Sequence, residues 1–116
     1  MNSETYFAEG PRLKRFAFML HLREGTAGAY DQAHRELWPK MIEMLKRGGI
    51  SEYSIFRRDN LLFLTFKAAD FEATWSQFDH DPVNLRWQKT MAPHFAPLEV
   101  RPGERFPMMK EIFFLP

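Results

Sequence analysis

Hydrophobic and polar positions alternate along some stretches of the chain and recur with helical spacing along others. In residues 16–22 one set of side chains is wholly apolar and the interleaved set is mixed, which predicts a first strand with two different faces. Further strands are predicted at residues 52–57, 61–66 and 110–115, the middle two joined by a short hairpin connection. Because residues 61–66 are apolar on both faces, we expect that strand to be central in its sheet.

From about Ala29 the spacing of apolar residues changes to the helical period. The stripe consists of Tyr30, Ala33, His34, Leu37, Trp38, Met41, Met44 and Leu45. Pro39 lies inside the stripe and should kink the helix, because proline removes one main-chain hydrogen bond. Gly48 and Gly49 are expected to end it.

Two further helices are predicted from capping residues. Asp70 can cap a short helix that runs to about Phe78, and Asp81 with Pro82 fits the cap and first turn of a helix that ends near Met91. A proline-rich stretch follows in residues 93–107. It is long for an unstructured loop, so we expect it to lie across another part of the domain.

This order of elements, β-α-β-β-α-β, predicts an α+β domain with an antiparallel sheet of the ferredoxin-like type. Residues 1–14 are expected to form an N-terminal tail and residues 15–116 a single domain. The helices cover one face of the sheet, and the other face needs cover. Either a second copy packs there, which would give a homodimer, or the face lines an apolar cavity.

Composition excludes several kinds of protein. The formal net charge of +1, from 16 Lys and Arg against 15 Asp and Glu, is not that of a nucleic-acid-binding protein. The chain has no cysteine, so disulfides and thiolate metal sites are excluded. No apolar run approaches the ~20 residues of a membrane span, and no secretory signal is evident. We therefore expect a cytoplasmic protein that has no membrane or nucleic-acid partner.

Candidate chemistry centres on Tyr30 and His34, which lie four residues apart and so share one face of the predicted helix. Both side chains can move protons, although a buried pair of core residues is the alternative interpretation. Tyr53 opens the second strand, and Trp87 stands in a mostly polar stretch, where it either packs on the core or forms a wall of a site. Such aromatic faces suit the apolar C–H faces of sugars.

Other motifs give no support to metal or nucleotide chemistry. The four histidines, His21, His34, His80 and His94, have no metal-ligand spacing among them, and no phosphate-binding glycine loop occurs.

The chain resembles the L-rhamnose mutarotase family over residues 15–116. Tyr30 and His34, followed by Leu37-Trp38-Pro39, are similar to the family's Tyr…His…(Ile/Leu)-Trp-Pro pattern. Residues 49–63, the Arg86-Trp87-x-Lys89 segment and the closing Phe-Phe-Leu-Pro match in order and with near-constant spacing.

The resemblance implies a dimeric ferredoxin-like enzyme that equilibrates the α and β anomers of L-rhamnose without a metal or cofactor. It implies that His34 is the proton donor and that Tyr30, Tyr53, Trp87 and Gln88 contact the sugar. Gln88 departs from the family, which often has two adjacent Trp. An amide in place of a flat apolar wall could favour another deoxy-hexose, such as L-fucose.

A second function class stays open at this point, because dimeric ferredoxin-like domains also include small oxygenases and ligand-binding modules. An oxygenase would use the same cavity, with His34 or His21, for an aromatic or quinone-like substrate or for haem. The constellation of Tyr30, His34 and Trp38-Pro39 favours the mutarotase.

Overall fold

The computed structural model describes residues 12–116, so most of the tail predicted at residues 1–14 lies outside the described residues. The elements are β1 (Lys14–His21), α1 (Ala27–Arg35), α2 (Pro39–Arg47), β2 (Ser51–Arg58), β3 (Leu61–Ala68), α3 (Phe71–Phe78), α4 (Pro82–Met91), a short 3₁₀ helix (Ala92–His94) and β4 (Met108–Met109).

The four strands form one antiparallel sheet in the order β2-β3-β1-β4, which is the ferredoxin-like order predicted from the sequence. β3 pairs with a neighbour on each side, so its predicted central position is confirmed. Its register with β1 sets Phe18 opposite Leu64, and both side chains are buried beneath the helices.

The predicted single kinked helix is wrong, because the structure has two separate helices in its place. α1 ends at Arg35, and Pro39 is the first residue of α2 rather than a kink inside a continuous helix. Proline lacks the N–H that helix continuation needs, whereas the first turn of a helix leaves that N–H unpaired in any case. The residues of the predicted stripe are buried or half-buried, but they belong to two helices and, at Leu37 and Trp38, to the connection between them.

Helix boundaries elsewhere follow the capping residues named from the sequence. The Asp70 carboxylate accepts a hydrogen bond from the Ala73 N–H at 3.0 Å, and that of Asp81 accepts one from the Val83 N–H at 2.8 Å. α2 ends before Gly48, where an added Cβ would lie 2.5 Å from the Phe78 ring. A side chain at residue 48 would thus force α2 and α3 apart.

The last strand lies earlier than predicted. Residues 110–115 were expected to form it, but β4 is Met108–Met109 and pairs with Phe18 and Ala17. The residues after β4 are held by side-chain contacts rather than by main-chain pairing with β1. Arg15 forms a 2.7 Å ion pair with Glu111 and lies over the Phe114 ring. The apolar residues that suggested a strand, residues 112–115, are exposed.

The sheet face away from the helices is open among the described residues. It carries the interleaved positions of β1 and β3, which are half-buried except for the exposed His21 and Leu61, and it also carries Phe56, which is 61 % exposed. No helix in residues 12–116 has both the length and the apolar content to cross a bilayer. The expected cytoplasmic location stays a prediction.

Candidate functional site

A cavity lies between the covered face of the sheet and the helices. It consists of two hollows of about 380 and 350 Å³, a size that suits a small ligand. The hollows lie next to each other and share lining residues, which are His34, Tyr53, Ile55, Trp75, Trp87 and Gln88. Tyr30 lines the first hollow, so all the site residues predicted from the sequence meet around one space.

Helix α1 brings Tyr30 and His34 side by side, as their spacing predicted. Their ring centroids are 4.2 Å apart. The helix is fixed at its start by Thr26, whose single hydroxyl hydrogen lies between the carbonyl oxygens of Arg23 (2.8 Å) and His94 (3.1 Å). Tyr30 is buried and His34 half-buried, so the imidazole is the more accessible of the two groups.

The His34 imidazole has one nitrogen engaged and one available. Its Nδ1 lies 2.9 Å from the Tyr30 carbonyl oxygen, which can only accept, so Nδ1 carries the hydrogen and donates it. Burial lowers the pKa of His34 below its usual value, while the Tyr30 carbonyl and Asp31 partly oppose that shift. At neutral pH the ring is therefore neutral, and its Nε2 has a free lone pair.

The two tyrosines of the site keep their protons. Burial raises the pKa of both Tyr30 and Tyr53 well above the usual value for tyrosine, because a phenolate is poorly solvated there. Tyr53 also packs edge-on against Phe66, with ring centroids 5.6 Å apart. Both phenols can thus serve as hydrogen-bond donors in this cavity across the physiological pH range.

Trp87 both packs on the core and lines the cavity. It is only 7 % exposed, and it meets His34 and Trp38 edge to face at centroid distances of 5.4 and 5.1 Å. The two interpretations of this residue that the sequence offered, core and wall, are therefore both correct in geometric terms. Trp38, which directly precedes α2, packs against the Trp87 indole.

The proline-rich segment forms one side of the cavity. Phe95, Leu98 and Phe106 line the first hollow, and Phe106 stacks on Phe18 with centroids 4.3 Å apart. Arg105 holds the segment to the end of α3 through a paired contact with Asp79 at 2.8 and 2.9 Å. The expectation that residues 93–107 lie across the domain is confirmed.

Sequence reasoning missed several apolar lining residues, and the four that lie in distant parts of the chain are Trp75, Phe95, Leu98 and Phe106. They come from α3 and from the proline-rich segment, far along the chain from Tyr30 and His34. The only local signal was the presence of aromatic residues inside a proline-rich stretch.

A shallower opening of about 330 Å³ leads to His34 from the side of β2. Arg57 and Asp31 form a two-pronged ion pair there, with a 2.7 Å contact from the Arg57 Nε, and so join β2 to α1. Arg57 lowers the pKa of the Asp31 carboxyl group. His21 and His80 are exposed, and neither lines the main cavity.

Comparison with known proteins points to one family. Residues 15–115 match the family model described as L-rhamnose mutarotase. The L-rhamnose mutarotase of Bacillus subtilis is 32 % identical over 111 residues, covering 89 % of this chain and 99 % of the relative. That of Oceanobacillus iheyensis is 34 % identical over 83 residues, covering 70 % and 79 %.

A solved structure agrees with these sequence matches. The crystal structure of an L-rhamnose mutarotase from Formosa agariphila superposes with a TM-score of 0.69 at 29 % identity, covering 89 % of this chain and 99 % of that one. The oxygenase and binding-module alternatives receive no support from these matches. The chain belongs to the L-rhamnose mutarotase family of isomerases.

Proposed function

We propose that this protein interconverts the α and β anomers of L-rhamnose, and that His34 moves the proton. The observation that carries the proposal is the convergence of His34, Tyr30, Tyr53 and Trp87 on one cavity large enough for a monosaccharide. Family membership makes L-rhamnose the first substrate to test.

The anomeric hydroxyl and the ring oxygen are bonded to the same carbon, so one imidazole nitrogen can serve both. Nε2 of neutral His34 takes the proton of the anomeric hydroxyl as the carbonyl group forms and the bond from the anomeric carbon to the ring oxygen breaks. The imidazolium then gives that proton to the ring oxygen, which is the donor role predicted for His34. Rotation of the aldehyde and reversal of these steps yield the other anomer.

The other site residues bind and orient the sugar in this proposal. The Tyr30 and Tyr53 hydroxyls keep their protons, so they can donate hydrogen bonds to sugar oxygens but are poor sources of a transferred proton. The Trp87 ring offers a flat surface to the C–H face of the sugar. The segment of residues 93–107 restricts the access of water on the opposite side.

Proton saturation-transfer NMR on the anomeric signals of L-rhamnose, L-fucose and D-glucose tests this function. We expect exchange of L-rhamnose to accelerate in proportion to protein concentration, with less or no effect on D-glucose. Acceleration of L-fucose alone would assign a different deoxy-hexose. Unchanged exchange of all three sugars would contradict a mutarotase function.

A homodimer completes the proposal. The open sheet face and the exposed residues 112–115, of which Ile112 is 90 % exposed, leave more apolar surface uncovered than a small monomer usually tolerates. A second copy packed sheet to sheet would bury part of both surfaces, since residues 112–115 follow β4 directly and their side chains are exposed.

Light scattering during size-exclusion chromatography tests this assembly. We expect twice the chain mass for the wild type and the mass of one chain for Phe56→Asp combined with Ile112→Asp. Leu85→Asp is the matched control, because Leu85 is also exposed but lies on α4, on the helical side of the sheet. A wild type of single-chain mass would contradict the dimer.

A further inference from the structure

The side chain of Asn84 is buried and hydrogen-bonded at both ends of its amide. It is only 8 % exposed. Its Nδ2 donates to the carbonyl oxygen of Phe78 at 3.0 Å, and its Oδ1 accepts from the Nε2 of Gln88 at 3.2 Å. Asn84 thus connects the end of α3 to Gln88, one turn further along α4.

The direction of this chain of amides is fixed by its first member. A main-chain carbonyl can only accept, so Asn84 must turn its Nδ2 toward Phe78 and its Oδ1 toward Gln88. Gln88 must in turn present Nε2 to Asn84, because a flipped amide would bring two oxygens together. The Oε1 of Gln88 is therefore the free end, and no residue among 12–116 donates a hydrogen bond to it.

Gln88, the exposed residue that carries this free acceptor, borders the cavity. Gln88 lines both hollows together with His34, Tyr53 and Trp87, and Asn84 lines the second. Tyr30, Tyr53 and Trp87 all carry polar hydrogens that they can donate. Gln88 differs from them because it offers an oriented oxygen, which suits a hydroxyl group of the ligand rather than its ring oxygen.

We propose that Gln88 accepts a hydrogen bond from one hydroxyl group of the sugar, and that Asn84 is a positioning residue that holds the Gln88 amide in the accepting orientation. The inference rests on the proposed sugar substrate and deepens it. If Gln88 accepts this hydrogen bond, the site favours a hexose with a hydroxyl group next to Gln88. A hexose with a hydrogen atom or a methyl group at that position should bind more weakly.

The test compares L-rhamnose with its monodeoxy derivatives on the wild type, Gln88→Met, Asn84→Ala and the double variant. Met has the length of Gln without its acceptor. Asn84→Ala leaves the Phe78 carbonyl satisfied, since that oxygen also accepts from the Asp81 N–H at 3.1 Å. Gln77→Met is the matched control, because Gln77 is exposed on α3 and lines neither hollow.

KM comes from anomer exchange, and Kd comes from titration of main-chain amide chemical shifts. We expect Gln88→Met to raise KM and Kd for L-rhamnose about 3- to 10-fold with little change in kcat, the effect of one neutral hydrogen bond. For the wild type, one monodeoxy derivative should have a higher Kd than L-rhamnose. For Gln88→Met, the Kd values of that derivative and of L-rhamnose should be similar. Asn84→Ala should raise KM by a smaller factor and add nothing to Gln88→Met.

Two results would overturn the inference. If Gln88→Met binds every sugar as the wild type does, Gln88 accepts no hydrogen bond from the ligand. If Asn84→Ala raises KM by the same factor with and without Gln88, Asn84 acts only on the fold. Tight L-rhamnose binding without accelerated exchange would count against the proposed mutarotase function, but the Kd values would still decide the role of Gln88. Absence of L-rhamnose binding would reject both the function and the role of Gln88.

Discussion

The Nδ1 of His34 lies 2.9 Å from the main-chain carbonyl oxygen of Tyr30, one helical turn earlier. This contact fixes which imidazole nitrogen carries the hydrogen in the neutral ring and leaves Nε2 as the nitrogen that can exchange a proton with a ligand. The tilted contact between the two rings, 4.2 Å between centroids, helps to hold the imidazole in that orientation. The proposed chemistry depends on this arrangement.

Replacing His34 by Gln should remove most of the catalysis and leave the fold intact. Gln keeps the polarity of the half-buried position but cannot transfer a proton, so the enzyme-catalysed exchange rate should fall by about 10²–10⁴. Saturation-transfer NMR measures the rate, and circular dichroism checks the fold. Gln77→Met should keep the wild-type rate. Full activity in His34→Gln would rule out the assigned role.

The pH dependence should follow the neutral form of His34. Because burial lowers the pKa of this imidazole, the neutral ring predominates at the usual histidine pKa and above it. We expect kcat/KM to be flat through neutral pH and to fall only in acid, as Nε2 becomes protonated. A rate that instead rises as the pH drops through this range would mean that the protonated imidazole is the starting form.

Two variants of the ion pair between Asp31 and Arg57 should shift the pH at which kcat/KM falls, here called the acid limb of the pH profile, in opposite directions. Asp31 raises the pKa of His34, so Asp31→Asn should lower it and shift the limb to lower pH. Arg57→Gln removes the cation that neutralises Asp31 and should shift the limb to higher pH. If the Asp31–Arg57 ion pair only joins α1 to β2, both variants should lower kcat and neither should shift the acid limb of its pH profile.

Truncation of Trp87 should affect both binding and stability. Trp87→Ala should weaken sugar binding, and the 7 % exposure of the indole predicts a destabilisation of about 3–5 kcal/mol as well. Trp87→Phe is the sharper variant, since it keeps an aromatic ring in the core. It should raise KM several-fold with a modest loss of thermal stability.

A core variant outside the site separates these two effects of Trp87. Phe71→Leu should lower the unfolding temperature while KM stays unchanged, because Phe71 is buried but lines neither hollow. An unchanged KM in Trp87→Phe would mean that Trp87 serves the core alone.

Short-range patterns were enough to predict most elements of this fold. Alternation of side chains predicted β1, strand-like runs on either side of a short connection predicted β2 and β3, and the carboxylates of Asp70 and Asp81 marked the starts of α3 and α4. The pairing of Tyr30 with His34 followed from helical spacing alone. Each of these features depends on residues within one or two turns of each other, which the order of the residues fixes directly.

The break before Pro39 and the position of the last strand were decided at longer range. A proline inside an apolar stripe is compatible with a kink or with a new helix, and the packing of α2 on α4 selects between them. The apolar run in residues 110–115 looks like a strand by itself. Whether it pairs depends on its neighbours in the fold. The ladder with β1 ends at Met109, opposite Ala17, although β1 itself begins at Lys14. Beyond Met109, side-chain contacts with Arg15 take the place of the ladder.

The sequence by itself determined most of the elements, the shared face of Tyr30 and His34, and the resemblance to a sugar-converting family. Only the tertiary structure decided which side chains close the cavity, because Trp75, Phe95, Leu98 and Phe106 reach it from elements distant in the chain. It alone also set the lowered pKa of His34 and the orientation of Gln88. Burial and hydrogen bonding depend on which residues are close in space. A local sequence pattern does not identify contacts between residues that are distant in the chain.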